Sequence, residues 1–410
     1  MQDTIPPALS ESTVSIVKAT APVLQEHGET LTRHFYQRMF RENPEVAPLF
    51  NPAHQAGGSQ QRALAGAICA FAANVDQLEV LGAAVETIAQ KHAALRILPE
   101  HYPIVGENLL ASIREVLGEA ATDEIIGAWA EAYGFLTAIL TGRERQIYKE
   151  QARAEHGWNG FRAFRIDSKV RESEAIVSLH LRPSDGGGVP GYKPGQYLTV
   201  RVPDGRGSTT MRNYSLSEAP RSDRFRISVK AESGGTVSEY LHDLPEGAEI
   251  EVAPPCGDFF LDPSEHHERP LVLLSAGVGI TPMLAMLETA LREQPERQVV
   301  FIHGALHGRV HAFGDAVRSL EKEHPRLTVH VRYSEPDGDD IRLGRCDSTG
   351  FIDAELIESL VPRRDCDYYF CGPKPFMSAI YRQLLAWGIP GSQVHFEFFG
   401  PRQELEGATA

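Results

Sequence analysis

Residues 270–283, PLVLLSAGVGITPM, decide how the chain divides. Leu271 to Leu274 form an unbroken apolar run, short enough for a strand covered on both faces. Gly277 and Gly279 follow as a turn, and an apolar helical pattern begins behind them, so the stretch opens an α/β unit. Two glycines let the backbone turn sharply and approach a pyrophosphate. Thr281 is placed to cap the helix and Pro282 to take its first position, which leaves the helix N-terminus facing an anion. The same glycines suit any tight turn, and Pro282 stands where a GxGxxG fingerprint needs its last glycine.

Working outward, RQVVFIHGA (297–305), LTVHVRYSE (327–335) and DYYFCGP (367–373) are further apolar strands with helical stretches between them. They predict an α/β domain with a parallel sheet over residues 266–410. Cys371, Gly372 and Pro373 leave the last of these strands at its carboxyl edge, the side on which open α/β sheets bind ligands. Taken alone, Cys371 is a small buried hydrophobe. FIHGALHGRVHAF (301–313) has no acidic residue at its strand end for a ribose hydroxyl, and Arg309 by itself makes no 2'-phosphate clamp, so both nicotinamide nucleotides stay in play.

Upstream the period changes to two. FRAFRIDSKV, AIVSLHLRP, GQYLTVRVP and RFRISVKAE alternate apolar and polar residues between Pro and Gly punctuation, which predicts an antiparallel β-barrel over 161–265. Within it, MRNYSLSEAP sets Arg212, Tyr214 and Ser215 at a strand end: a charged donor for phosphate, a planar face for an aromatic ring, and a hydroxyl for a ring heteroatom. ESGGTVSEYLHD adds Gly234, Gly235, Thr236, Val237 and Ser238 before a helical segment, a second helix N-terminus able to hold phosphate. Either stretch alone could be a surface turn; together they suit a cofactor with a pyrophosphate and a flat ring.

Before about residue 150 the apolar period is helical throughout, so residues 1–150 are expected to be all-α, with 151–160 as linker. Thr32, Phe35, Tyr36, Met39 and Phe40 form one stripe, which Asn43-Pro44 ends. Gln60, Leu64, Ala67, Ile68 and Phe71 form another, and Leu81, Val85, Ile88, Ala89 and His92 a third, which turns an imidazole toward the core. A core histidine would do the same. A net charge of -15 argues against nucleic acid as a partner, because phosphate backbones are bound by clustered Lys and Arg. No leader pattern or spanning apolar run stands out, and the five cysteines lack metal or disulfide spacing, so a cytoplasmic, monomeric protein is expected.

GQYL, RNYSL, GGTVS, GVGITPM, CGP and FEFFGP occur in the order seen in the ferredoxin-NADP reductase superfamily. Ahead of them, LTRHFYQRMFRENPE, IAQKHAAL, IVGENLL and AWAEAYG resemble the globin domain of bacterial flavohaemoglobins, in which a globin precedes this reductase. The resemblance implies a globin, an FAD-binding barrel and an NAD(P)H-binding α/β domain, carrying non-covalent haem b, FAD and NAD(P)H. It implies His92 as the proximal haem ligand with Tyr102 and Glu144 behind it, Tyr36 and Gln60 as hydrogen-bond donors to bound oxygen, Leu64 limiting access, Phe50 against the porphyrin and Lys91 near the haem edge. For FAD it implies Tyr197, Arg212, Asn213, Tyr214 and Ser215, with Gly234 to Ser238 at the phosphates. For the nicotinamide nucleotide it implies Gly277, Val278, Gly279, Ile280, Thr281 and Pro282 with Cys371, Gly372 and Pro373, and Glu397, Phe398, Phe399, Gly400 and Pro401 closing over the flavin. The implied activity is nitric oxide dioxygenase, with NO and O2 as substrates. Oxygen or gas sensing, with the reductase keeping the iron ferrous, and reduction of alkyl or lipid hydroperoxides in a lipid-accepting haem pocket, would use the same cofactors.

Overall fold

The computed structural model describes residues 8–50, 58–205, 207–264 and 268–399. The first part is helical. Helix α1 (Glu11–Glu42) starts at Ser10, whose hydroxyl accepts the Thr13 N–H at 3.1 Å, and stops at Asn43, ahead of Pro44. Helix α2 (Ser59–Ala73) crosses α1 closely, because a Cβ on Gly28 would already lie 3.2 Å from the Ala65 Cβ. Helices α3 (Leu78–Ala94), α4 (His101–Leu117) and α5 (Asp123–Arg153) complete the described set. Leu24, Leu31, Phe35, Met39, Ile113 and Trp129 are buried among them, on the stripes that the helical period picks out.

By length and composition α5 could cross a membrane. It also buries Trp129, Ala132, Leu140 and Glu144 along one side, the pattern of an amphipathic helix lying against a protein core.

The second part begins with strands β1 (Arg162–Arg171), β2 (Ile176–Pro183), β3 (Tyr197–Pro203), β4 (Thr209–Ser215), β5 (Phe225–Lys230) and β6 (Glu249–Val252), in the spatial order β4-β3-β6-β1-β2-β5. The pairs β1–β2, β1–β6, β2–β5 and β3–β6 are antiparallel. Leu216, the residue after β4, bridges Ile227 of β5, so the two edge strands meet and the sheet closes as the alternation predicts. Phe164, Ile166, Leu181, Val200, Phe225 and Ile227 fill the interior. Helix α6 (Thr236–Asp243) follows the GGTVS turn.

Strands β7 (Leu271–Ala276), β8 (Val299–Ala305), β9 (Leu327–Tyr333), β10 (Ser348–Thr349), β11 (Asp367–Cys371) and β12 (Val394–Glu397) form an all-parallel sheet in the order β10-β9-β8-β7-β11-β12. The chain winds one way from β7 to β10 and the other way through β11 and β12. The order therefore reverses between β7 and β11, and such a switch point opens a ligand crevice at the carboxyl ends of the strands. Both quoted turns, GVGITP and CGP, leave the sheet there.

Candidate functional site

His92 lies in the last turn of α3, next to the half-buried Lys91. Its Nδ1 is 2.9 Å from Glu144 Oε1 and 3.0 Å from the Tyr102 hydroxyl, and that hydroxyl donates to Glu144 Oε1 at 2.5 Å. A carboxylate only accepts, so Nδ1 carries the proton and Nε2 keeps its lone pair. Periodicity turned the whole ring inward. The structure instead leaves the side chain 31% exposed, with Nδ1 held inside and no protein hydrogen bond to Nε2 among the described residues.

The neighbours of this trio explain its geometry. A Cβ on Gly106 would lie 2.5 Å from the Tyr133 ring, so α4 and α5 touch there, and the Tyr133 hydroxyl donates to the Tyr102 carbonyl at 2.7 Å. Arg143 makes two bonds to Glu86, at 2.7 and 3.0 Å, and Tyr148 donates to the Ile97 carbonyl at 2.7 Å. These ties clamp the end of α3 to α5 on both sides of Glu144. Burial first, then the Glu144 carboxylate, pushes the Tyr102 phenol far above its usual pKa, so it stays a donor. Gly106, Tyr133, Arg143 and Tyr148 escape a reading of the sequence; the spacing of Tyr133, Glu144 and Tyr148 along one helix face is the signal that could have found the two tyrosines.

Haem fits this arrangement. Glu144 is 1% exposed, and its Oε2 has no partner among the described residues, so a buried carboxylate needs charge compensation that a cation bonded to the far side of the imidazole would supply. Among the described residues no three His, Cys, Asp or Glu are grouped to hold a bare ion, and a porphyrin brings its own remaining donors. Elsewhere in the helical core the Tyr36 side chain is buried and hydrogen-bonded to Gln60. Burial raises its pKa strongly, against the lowering effect of Gln60. Phe40 and Phe50 pack edge or tilted on Tyr36, with centroids 5.9 and 5.7 Å away, and the half-buried Leu64 joins the same core.

In the barrel, Arg212 and Tyr214 share one face of β4 and are half-buried, while Ser215 is buried on the other and Asn213 Oδ1 accepts from Thr199 at 2.8 Å. Burial lowers the pKa of the Arg212 guanidinium and raises that of the Tyr214 phenol. Tyr197, on the neighbouring strand, is 6% exposed with a hydroxyl that has no partner among the described residues, and Gly257 packs so closely that a Cβ there would lie 3.0 Å from its ring. An orphaned buried hydroxyl beside a half-buried arginine and tyrosine fits a flavin with its phosphates. At α6, Gly234 takes a positive φ of 73°, and no side chain caps the helix. Ser238 turns its hydroxyl back to the Glu232 N–H at 3.2 Å, and Glu239 takes the Gly234 N–H at 2.7 Å, so Thr236 and Val237 present the outward N–H groups of that turn.

The GVGITP turn departs from expectation in two details. Gly277–Gly279 wind as a 3-10 turn straight into helix α7 (Ile280–Glu293), so Pro282 is the third helical residue, and Thr281 donates to the Val278 carbonyl in place of capping the helix. Gly279 has an ordinary φ of -61°, yet a Cβ there would sit 2.1 Å from the Cys371 carbonyl oxygen. Its lack of a side chain thus lets the two turns touch across the switch point. Ile280 and Cys371 are fully buried, Gly372 lies against Phe376, and Pro373 caps the following helix. Glu397 ends β12 beside Cys371, and its charge raises the pKa of both Cys371 and Tyr197, after burial in each case, so β11, β12 and the barrel converge at one place. Phe398 is half-buried and Phe399 exposed; Gly400 and Pro401 lie outside the described residues.

Three family patterns match in succession: Globin at residues 33–140, Oxidoreductase FAD-binding domain at 163–261 and Oxidoreductase NAD-binding domain at 273–382. A flavohemoprotein of Rhodopirellula baltica is 48% identical over 405 residues, covering 97% of this chain and 99% of that protein. The chain belongs to the flavohemoprotein family.

The crystal structure of a flavohemoglobin from Malassezia yamatoensis with bound FAD and heme superposes with a TM-score of 0.84 at 27% identity, over 96% of this chain and all of that one. The FAD/NAD-binding part of nitric oxide dioxygenase from Vibrio cholerae is 37% identical, covers 58% of this chain and 99% of its own, and gives a TM-score of 0.53. As a flavohemoprotein the chain joins a haem-holding globin to an FAD- and NAD-binding oxidoreductase. The five cysteines of this flavohemoprotein are all free thiols.

Proposed function

We propose that the chain is an NAD(P)H-dependent nitric oxide dioxygenase that converts NO and O2 to nitrate. The observation that carries this is the pairing of two polar centres in one globin, Glu144–His92–Tyr102 and Tyr36–Gln60, on a chain that also holds flavin and nicotinamide turns. Haem would supply the iron at which the two gases meet, and FAD would convert a hydride into single electrons, which the reaction needs because each nitrate takes one electron beyond those of NO and O2. His92 would hold the iron through Nε2. Glu144 keeps the Nδ1 proton directed at itself and makes the imidazole a stronger donor, and Tyr102 fixes that carboxylate. Tyr36 and Gln60 would act as preorganised donors for the oxygen atoms, with Phe40, Phe50 and Leu64 packed around them as apolar neighbours. Lys91, half-buried next to His92, would lie near the haem. Arg212 neutralises a flavin phosphate, Tyr197 and Tyr214 pack the flavin ring, and Gly234 to Ser238 and Gly277 to Pro282 receive phosphates at their helix starts.

The experiment adds nitric oxide to haem- and FAD-loaded protein in air and follows NAD(P)H consumption with nitrate. Nitrate at the uncatalysed background while haem is reduced would end the proposal. Because apolar residues of this kind would also suit an acyl chain, a lipid hydroperoxide serves as the comparison substrate. Tyr36→Phe removes one donor and should lower the nitrate rate by about a hundredfold, with haem content and flavin reduction unchanged; a rate near that of the parent on a nitric oxide electrode would exclude Tyr36 from the reaction.

NADH is the better donor in this proposal. Arg309, the first arginine or lysine after β8 in the chain, is engaged by Asp337 at 2.7 Å and Glu174 at 3.6 Å, so a 2'-phosphate bound there would have to displace carboxylates. The kcat/KM for NADH should exceed that for NADPH by about tenfold or more, and Asp337→Asn with Glu174→Gln should narrow the ratio by freeing Arg309. Equal values in the parent protein would count against it. All modules needed for the electron path lie on one chain, which fits a monomer, and five free thiols fit a cytoplasmic location.

A further inference from the structure

Hydride passes between two ring systems only when they are held at a fixed separation, so whatever ties the flavin motif to the nicotinamide turn bears on the rate. Both belong to one compact unit. The motif Arg212–Ser215 runs directly into residues 216–219, which the barrel holds through the Ser217 N–H donating to the Arg226 carbonyl at 2.9 Å and the Tyr192 hydroxyl donating to the Glu218 carbonyl at 2.7 Å. From the other side Glu288 reaches over from α7, the helix that starts at the nicotinamide turn. Its Oε2 accepts the Ala219 N–H at 2.7 Å, and its Oε1 lies 3.5 Å from Arg226 Nη2. Arg226 also donates to the Ser217 carbonyl and sets its guanidinium 5.3 Å from the ring centroid of Phe313, which belongs to the nicotinamide domain.

A second contact leaves α7 little slack. Gly195, just before Gln196-Tyr197, has a φ of 110°, and a Cβ on it would lie 2.5 Å from both Met286 Cε and the Phe259 carbonyl oxygen. The contact at Gly195 is apolar and lets surfaces slide, whereas the bond at Ala219 is directional and charge-assisted, so it sets the register. We propose that Glu288 is a positioning residue for hydride transfer, which holds the flavin motif at a set distance from the nicotinamide turn through Ala219 and Arg226. It acts through these two residues. The proposal rests on the flavin and nicotinamide assignments above.

The test is anaerobic stopped-flow bleaching of the flavin band by NADH in the full-length, FAD- and haem-loaded protein. Glu288→Ala should lower the limiting reduction rate by about tenfold or more while the NADH concentration for half-saturation moves by less than about twofold. Glu288→Gln, which keeps an acceptor for Ala219, should recover most of the rate, whereas Glu288→Asp, which draws the carboxylate back by one methylene, should not. Light-driven flavin reduction with a deazaflavin and EDTA bypasses the nicotinamide, and the electron transfer to haem that follows should run equally in all variants. If Glu288→Ala fails to retain FAD, the Gln and Asp pair decides. An unchanged limiting rate in Glu288→Asp, or a parallel loss in the light-driven reaction, would overturn the proposal. A parent protein that NADH does not bleach would overturn the flavin and nicotinamide assignments as well.

Discussion

Replacing His92 by alanine should abolish haem binding and leave the flavin chemistry standing. Nε2 is the side of the ring that no described residue engages, and Nδ1 is already committed to Glu144 and Tyr102, so the substitution removes the proposed iron ligand. The Soret band should fall below about a tenth of the parent value, since a haem that His92 would hold loses that ligand and several kcal/mol of affinity with it. NADH-driven reduction of ferricyanide through FAD should persist, because Tyr197, Arg212 and Tyr214 lie on other elements. The helical part should also lose about 1–3 kcal/mol of stability, as the buried Glu144 keeps Tyr102 but loses its second donor. Free imidazole should restore the Soret band by filling the vacated space. Haem retained at parent stoichiometry would rule out His92 as the ligand.

The second large effect is expected at Gly279. An alanine there needs no change of φ, so conformational strain plays no part; the obstacle is the Cys371 carbonyl oxygen at 2.1 Å and the Gly372 nitrogen at 2.7 Å from the new Cβ. Both are backbone atoms and cannot swing aside as a side chain would. The β7–α7 turn must retreat from β11, at about 1–3 kcal/mol for overpacking. A shift of about 1 Å at a hydride-transfer site lowers the rate by about a hundredfold, so NADH bleaching of flavin should slow by that order while FAD absorbance and the Soret band remain. Gly277→Ala is the informative contrast. Its φ of 55° carries a left-handed penalty of about 1 kcal/mol, yet nothing lies within 4 Å of its Cβ, so it should reduce flavin far faster than Gly279→Ala. Similar rates for the two variants would mean that the turn does not depend on contact with Cys371.

How much of the site the sequence disclosed depends on the range of the interactions. The GVG turn was legible because a strand, two glycines and a helix are neighbours in the chain. The reason for Gly279 was not, because the atom that excludes a side chain belongs to Cys371, in a strand that enters only through the parallel sheet. Thr281 and Pro282 were each placed two positions off in the helix because the 3-10 turn tightens ahead of it, and the composition of the stretch does not report that. His92 was visible as an inward residue, but periodicity treats an imidazole as a single point and cannot separate a buried Nδ1 from an open Nε2.

By itself the sequence determined three modules, the periods that build them, and the residue types at each turn. These follow from local propensity and from the pairing of apolar positions with a helix or strand period, which neighbouring residues specify. The tertiary structure alone decided which oxygen of Glu144 meets Nδ1, why Gly106 and Gly279 admit no side chain, and how Glu288 reaches Ala219. Each of these joins residues far apart in the chain, and only packing sets the distance between them.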